Sequence, residues 1–294
     1  MNIAVTGATG SIGKELIPFI KSLGHEVFII SSSLASDGKN TFTYEDIKNN
    51  NMSISADVLI HLASLNSTLG LDCIDQELRI TEDVLVSLPG LSCKKLIFFS
   101  SAKVYGDNSM SEVIFDESSL LQPACLYGEA KKRCEELISN ESTNSVSSII
   151  FRLPPYLTRS SNSNLSKLLH FSRLGIPLPC FKMNVKNQRS FISLNNIQAA
   201  IKILLENPTL IDNVKIYNLA DDNFISLAGL LKISGKGRIF TLPKFFVTLI
   251  LLIPLLRNIF IKIYGNFALD NSKIKQDMGV KLTSTPESMI LLPL

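Results

Sequence analysis

Tyr127 and Lys131 stand four residues apart in Tyr127-Gly128-Glu129-Ala130-Lys131, and apolar Cys134, Leu137 and Ile138 follow at helical spacing. On a helix the two side chains share one face. An ammonium beside a phenol favours the phenolate. Lowering a phenol pKa from about 10 to about 7 is roughly 4 kcal/mol of differential stabilisation. A phenol tuned in this way could exchange a proton with an alcohol or sugar oxygen at neutral pH. This spacing alone is common on helix surfaces, so the reading needs further groups. Ser101 supplies one. It follows the apolar run Lys95-Leu96-Ile97-Phe98-Phe99, and open α/β sheets place ligands at the carboxyl ends of their strands. Its hydroxyl could orient the reacting oxygen.

An anion site is written near the start of the chain. Gly7, Gly10 and Gly13 follow the short apolar run Ile3-Ala4-Val5 and open a stretch whose Ile12, Leu16, Ile17, Phe19, Ile20 and Leu23 form a helical face. Gly24-His25-Glu26 turns the chain into a second apolar strand, Val27 to Ile30. Strand, glycine turn, helix and parallel strand make a βαβ unit. Its glycines let the backbone approach a pyrophosphate, and the helix start donates free N–H groups to it. A dinucleotide is therefore the expected ligand. The second strand ends in Ser31, Ser32 and Ser33, with no acidic residue to accept from a ribose 2′-hydroxyl. Small hydroxyls leave room for a 2′-phosphate, so NADP is favoured over NAD. Lys131 could hydrogen-bond the nicotinamide ribose.

These groups need a scaffold of buried strands. Thr41 to Tyr44 reads as a third strand, Ala56 to Ser64 as a fourth running into a small-residue loop, and Ile149 to Leu153 as a sixth. Continuous apolar strands suit a parallel sheet covered on both faces. The expected architecture is α/β: a Rossmann doubly wound parallel sheet with a smaller C-terminal substrate-binding domain. Residues 1–155 would form the dinucleotide-binding domain, with a return to it around 189–220, and 156–294 would be mainly substrate domain.

Composition narrows the class. The 294 residues are 46% hydrophobic, enough for a large core without disulfides or metals. With 29 basic and 26 acidic residues the net charge is +3, which does not suggest a nucleic-acid binder. Five scattered cysteines contain no Cys-x-x-Cys pair, and the three histidines have no zinc-like spacing. Reduced thiols, a cytoplasmic location, no secretory signal and no metal are expected.

The segments Thr6-Gly7-Ala8-Thr9-Gly10-Ser11-Ile12-Gly13, Ile60-His61-Leu62-Ala63-Ser64, Phe98 to Gly106 and Tyr127 to Lys131, in this order, resemble the extended short-chain dehydrogenase/reductases. More narrowly, they resemble the nucleotide-sugar epimerase/dehydratase branch. The resemblance implies a catalytic Ser101, Tyr127 and Lys131. It implies cofactor contacts at Ser11, Ile12, Leu62, Ala63, Ser64 and Pro154, with Asp46 and Ile47 as an adenine-contacting pair. For the substrate it implies Lys103 and Asn164 beside Ser101 and Tyr127, and Arg189 on the diphosphate, where a guanidinium fork fits geometrically. A homodimer through helices flanking the catalytic one is the family-like expectation.

Three departures from the family pattern stand out. Relatives that dehydrate their sugar carry Asp-Glu after the catalytic serine or threonine. This chain has Ala102-Lys103 there, so a dehydratase is rejected. The Asn-Val-x-Gly-Thr often found on the helix before strand five is absent from Leu78 to Leu88. Tyr156-Leu157-Thr158-Arg159 stands where Tyr-Gly-Pro is usual. The leading expectation is a 4-keto-6-deoxy-sugar nucleotide reductase of bacterial surface-polysaccharide synthesis, consuming NADPH. The alternative is a UDP-hexose 4-epimerase retaining NAD. A non-catalytic dinucleotide sensor is a third reading, disfavoured by the intact Ser101, Tyr127 and Lys131.

The C-terminal part is basic and greasy. Residues 225–294 hold nine Lys/Arg and three Asp/Glu, net +6. Phe245 to Leu256 is a twelve-residue apolar run broken by Pro254. That is too short to span a bilayer, which needs about 20 apolar residues. A helix packed on the core or at a dimer interface is preferred here over a helix resting on a membrane surface.

Overall fold

The computed structural model describes residues 1–32, 40–49, 54–65, 72–142, 146–157, 164–181, 187–233 and 239–291. In the first half, β1 (Asn2–Thr6), α1 (Gly13–Ser22), β2 (Glu26–Ser31), β3 (Thr41–Thr43) and α2 (Tyr44–Lys48) lead to β4 (Val58–His61), α3 (Cys73–Gly90) and β5 (Lys95–Ser101). A short β6 (Ile114–Phe115) precedes α4 (Leu126–Ser142) and β7 (Ser147–Leu153). The second half comprises α5 (Asn164–Arg173), β8 (Leu178–Phe181), α6 (Leu194–Glu206), β9 (Val214–Asn218), α7 (Leu227–Ile233) and β10 (Ile239–Leu242). It closes with α8 (Lys244–Leu252), α9 (Pro254–Tyr264), β11 (Ala268–Leu269), α10 (Ser272–Met278) and α11 (Thr285–Leu291).

The main sheet has seven strands in the order β3-β2-β1-β4-β5-β7-β9, and every pairing in it is parallel. The strand sequences explain why both faces are covered. Ile3 and Val5, Val58 and Ile60, Ile97 and Phe99, and Ile149 and Phe151 point to one face, where Leu16 and Ile20 of α1 and Ile197, Ile201 and Leu204 of α6 close the core. Ala4, Leu59, Leu96, Phe98 and Ile150 point to the other, against Ile47 of α2, Val84 and Leu88 of α3, and Cys134 and Ile138 of α4. The order reverses between β1 and β4, which is the topological switch point where such sheets bind ligands. This is the doubly wound parallel sheet expected from the sequence.

The C-terminal elements form a satellite layer. β8 pairs with β10, β6 with β11, and Leu157, Leu169, Phe191, Leu227, Leu230 and Leu231 make a small core. The chain also returns to the main sheet twice: through α6 and β9, and again where Ile274 and Met278 of α10 join the α1–α6 core. The apolar run at 245–256 is covered only in part by the rest of the chain. Val247 and Phe260 are buried, but Phe245, Leu252 and Leu255 are 70%, 73% and 72% exposed. Val247 of α8 and Phe260 of α9 are each enclosed, Ile250 and Leu251 are half-buried, and the other apolar side chains of the run face outward. No helix among the described residues is long and apolar enough to cross a membrane.

Candidate active site

The glycine turn sits at the switch point. Gly7 has φ +72°, and a Cβ there would lie 2.5 Å from the Ala63 nitrogen, so the turn after β1 abuts the segment after β4. A Cβ on Gly13 would lie 2.4 Å from the Gly7 carbonyl oxygen, so only glycine lets α1 start this close to the strand end. Gly10 and Ser11 are exposed between them and Ile12 is half-buried. No side chain caps α1 at Ile12. An exposed turn leading to an uncapped helix start leaves N–H donors for an anionic ligand. Leu62, Ala63 and Ser64 lie beside it, with the Ala63 N–H donated to Thr6 Oγ at 3.1 Å.

Ser101 ends β5, and its Oγ accepts from the Lys103 N–H at 3.2 Å, starting a single 3-10 turn over Ala102–Val104. A Cβ on Gly128 would lie 2.5 Å from the Lys103 carbonyl oxygen, so the start of α4 presses on this turn. That contact brings Tyr127 to the end of the serine strand. One helical turn on, Lys131 is 1% exposed, with its Nζ 6.0 Å from the Tyr127 ring centroid and 4.8 Å from that of Phe98. Burial alone would lower the lysine pKa. The charges of Tyr127 and Glu77 outweigh that and raise it, so Lys131 stays protonated. The turn that follows Ser101 at the carboxyl end of β5 thus packs on the start of α4, the helix that carries Tyr127 and Lys131.

Two further groups belong to this cluster. Glu77 of α3 is 2% exposed and lies 2.7 Å from Lys131 Nζ. It also accepts from Ser64 Oγ at 2.7 Å and from the Leu65 N–H at 2.8 Å. It thus ties the lysine expected to be catalytic to the segment expected to line the cofactor. The sequence signal was available: Cys73, Glu77, Thr81, Val84 and Leu88 fall on one buried helical stripe, and a carboxylate in such a stripe needs a partner. His61 is the second. Its Nδ1 lies 2.7 Å from Thr6 Oγ, its ring stacks on Phe98, and its buried Nε2 has no partner among the described residues. Burial first, and the Lys131 charge second, lower its pKa to about 3, so it is neutral at ordinary pH.

The remaining expected contacts are placed as follows. Asp46 is half-buried at the start of α2, where its Oδ2 accepts from the Thr43 N–H and hydroxyl in a capping box. Ile47 packs in the core, with both its side chain and its carbonyl against Gly90. Ser31 is half-buried at the end of β2, and Ser33 lies outside the described residues. Pro154 is buried just after β7. Lys103 Nζ pairs with Asp107 and lies 5.6 Å from the Phe267 ring centroid. Asn164 is the first residue of α5, and Thr158 and Arg159 lie outside the described residues. Arg189 does not stand free: its Nη1 donates to the Ile263 carbonyl oxygen at 2.7 Å, and burial lowers its pKa to about 10. A diphosphate there would displace or share that bond.

Comparison with known proteins bears on the fold and the family. A UDP-glucose 4-epimerase from Vibrio cholerae is 27% identical over 140 residues, a match covering 47% of this chain and 42% of that relative. The match to that curated relative thus spans less than half of its length. The solved UDP-N-acetylglucosamine 4-epimerase from Bacillus cereus superposes with a TM-score of 0.75 at 16% identity, covering 98% of this chain and 96% of that one. A UDP-glucuronic acid 4-epimerase from Bacillus cereus, solved with UDP-glucuronic acid and NAD, superposes at 0.73 with 19% identity, covering 99% and 97%. At such identities the structural likeness is one of fold. The family model described as NAD dependent epimerase/dehydratase family matches residues 3–220, about three quarters of the sequence, and the chain belongs to that family.

Proposed function

We propose that this protein is a nicotinamide-dependent enzyme acting at carbon 4 of a nucleotide-linked hexose, by 4-epimerisation with retained NAD. The observation that carries the chemistry is the buried, charged Lys131 beside Tyr127 on one face of α4, next to the Ser101 strand end. The names of the relatives favour epimerisation over net reduction. The glycine cradle and the uncapped α1 fit a dinucleotide, with Gly7, Gly10, Ser11, Ile12 and Gly13 at its diphosphate and Leu62 to Ser64 alongside. When bound, that cofactor supplies the hydride chemistry that the side chains lack.

The chain's own residues handle the proton and the positioning. Tyr127 Oη takes the proton from the 4-hydroxyl as carbon 4 is oxidised and returns one to the 4-oxygen as it is reduced. Lys131 keeps positive charge next to that phenol and has N–H groups to spare for a ribose hydroxyl. Ser101 Oγ orients the sugar oxygen. Glu77 fixes the lysine and, through Ser64 and Leu65, the loop on the cofactor side.

A 4-ketosugar reductase using NADPH is the second reading, favoured by Ser31 at the end of β2, where an acidic residue would repel a 2′-phosphate. The test is to denature freshly purified protein and identify any released nicotinamide cofactor by mass, then titrate the protein with NADH and NADPH. Stoichiometric NAD with interconversion of UDP-hexose epimers bears out the epimerase. Empty protein that prefers NADPH and consumes it with a 4-ketosugar overturns it in favour of the reductase.

A further inference from the structure

We propose that the helix pair α8–α9 seats this protein on the anionic surface of a lipid bilayer. Eight consecutive residues, Leu252 to Ile259, are all exposed, and six of them are apolar. On α8, Phe245, Leu249 and Leu252 recur at the spacing of a single helical face, and all three are exposed. On α9, Leu255 and Ile259 are one turn apart with Leu256 beside them, all three exposed, and Arg257 is exposed among them. Soluble monomers rarely leave apolar patches of this kind uncovered.

The patch is not a loose flap. Val247 and Phe260 anchor it in the protein. Asn108 Nδ2 donates to the Lys262 carbonyl at 2.8 Å, and Tyr264 Oη donates to the Pro179 carbonyl at 2.6 Å. The two helices therefore present a fixed apolar surface, and they lie beyond the residues the family model matches.

Charge selects the occupant. Among the described residues of α8 and α9 the exposed charged side chains are Arg257 and Lys262, both basic, and the sequence holds no acidic residue between Asp222 and Asp270. A second copy docking by the same face would bring these like charges together. Anionic headgroups would meet them, while the leucines and phenylalanines enter the acyl boundary, as amphipathic interfacial helices do. Helices of 9 and 11 residues joined at Ile253–Pro254 lie on a bilayer and do not cross it.

The test uses the full chain with phosphatidylcholine vesicles, with and without phosphatidylglycerol, read by co-sedimentation. Binding to the anionic vesicles is expected to exceed binding to the neutral ones by about tenfold or more, and to fall with added salt. A Leu252→Ser/Leu255→Ser double variant should lose that binding by a similar factor. Its melting temperature and NADH titration should stay unchanged, because both side chains already face solvent. Absence of vesicle binding overturns the proposal, as does binding that the double variant retains. A concentration-dependent dimer that the same variant dissolves, without vesicle binding, would assign the face to a second copy instead.

Discussion

Lys131 and Glu135 sit one turn apart on α4, both nearly inaccessible to solvent, and each is paired with a charge on another element. Glu135 accepts from Arg152 Nε and Nη2 and from Ser100 Oγ, while Arg152 Nη1 donates to Tyr105 Oη at 2.9 Å. Tyr105 in turn donates to Asn218 Oδ1 at 2.8 Å, so the network locks β5, β7, β9 and α4 together. Lys131 has Glu77 as its one ion-pair partner among the described residues, with aromatic faces around the rest of its ammonium. One pair has its hydrogen bonds filled by the fold. The other keeps donors unspent beside an orphaned histidine nitrogen. Buried charge serves rigidity when saturated, and is available for chemistry when its partners stop short.

Breaking the saturated pair should cost most. Arg152→Leu leaves Glu135 buried without its guanidinium, a loss of about 3–5 kcal/mol. Urea unfolding measures it directly, and a midpoint equal to wild type would mean the network carries no stability. Lys131→Met should behave oppositely. Turnover should fall by about a hundredfold or more. Stability should fall less than in Arg152→Leu, because Glu77 keeps its Ser64 and Leu65 donors. If Lys131→Met unfolds as readily as Arg152→Leu while its folded fraction turns over normally, the two pairs are the same kind of object.

His61 sharpens the contrast through acid. Burial holds its folded pKa at about 3, below the ordinary histidine value of 6.5. The unfolded chain therefore binds a proton the native state refuses. Stability is present in full above pH 6.5 and drains as pH falls towards 3. At pH 5 the loss is about 2 kcal/mol. The difference in unfolding free energy between pH 7 and pH 5 should be smaller in His61→Phe than in wild type. Equal differences would show that His61 is not the proton acceptor.

The parts of the site that follow from local rules were legible in the residues. Gly7, Gly10 and Gly13 after an apolar strand, and Tyr127 four residues before Lys131, each mark one backbone geometry. The partners were harder to read, because they come from elements distant in sequence. Glu77 lies 54 positions from Lys131, and only the packing of α3 on α4 joins them. Arg189 was expected from its segment to be a diphosphate ligand, yet its bonds to the end of α9 depend on tertiary placement. The run from Phe245 to Leu256 shows a third limit: apolar sequence states what would gain from burial, but not whether the chain supplies the cover.

Glu77→Gln is the most discriminating of these changes, though its effect is the smallest. The substitution preserves shape but removes the negative charge that, after Tyr127, raises the Lys131 pKa against burial. A lysine whose folded pKa is raised contributes stability that is complete below its reference value of 10.5 and is lost as pH rises through the folded value. Taking away the carboxylate lowers that folded value, so Lys131 should lose its proton at lower pH. The alkaline limb of the kcat profile should move down by about one pH unit, equivalent to about 1.4 kcal/mol. If Glu77 only props up α3, the variant will melt earlier and the alkaline limb will stay where it was. A shifted limb with a nearly unchanged melting temperature is the signature of a carboxylate that acts on the reaction through Lys131.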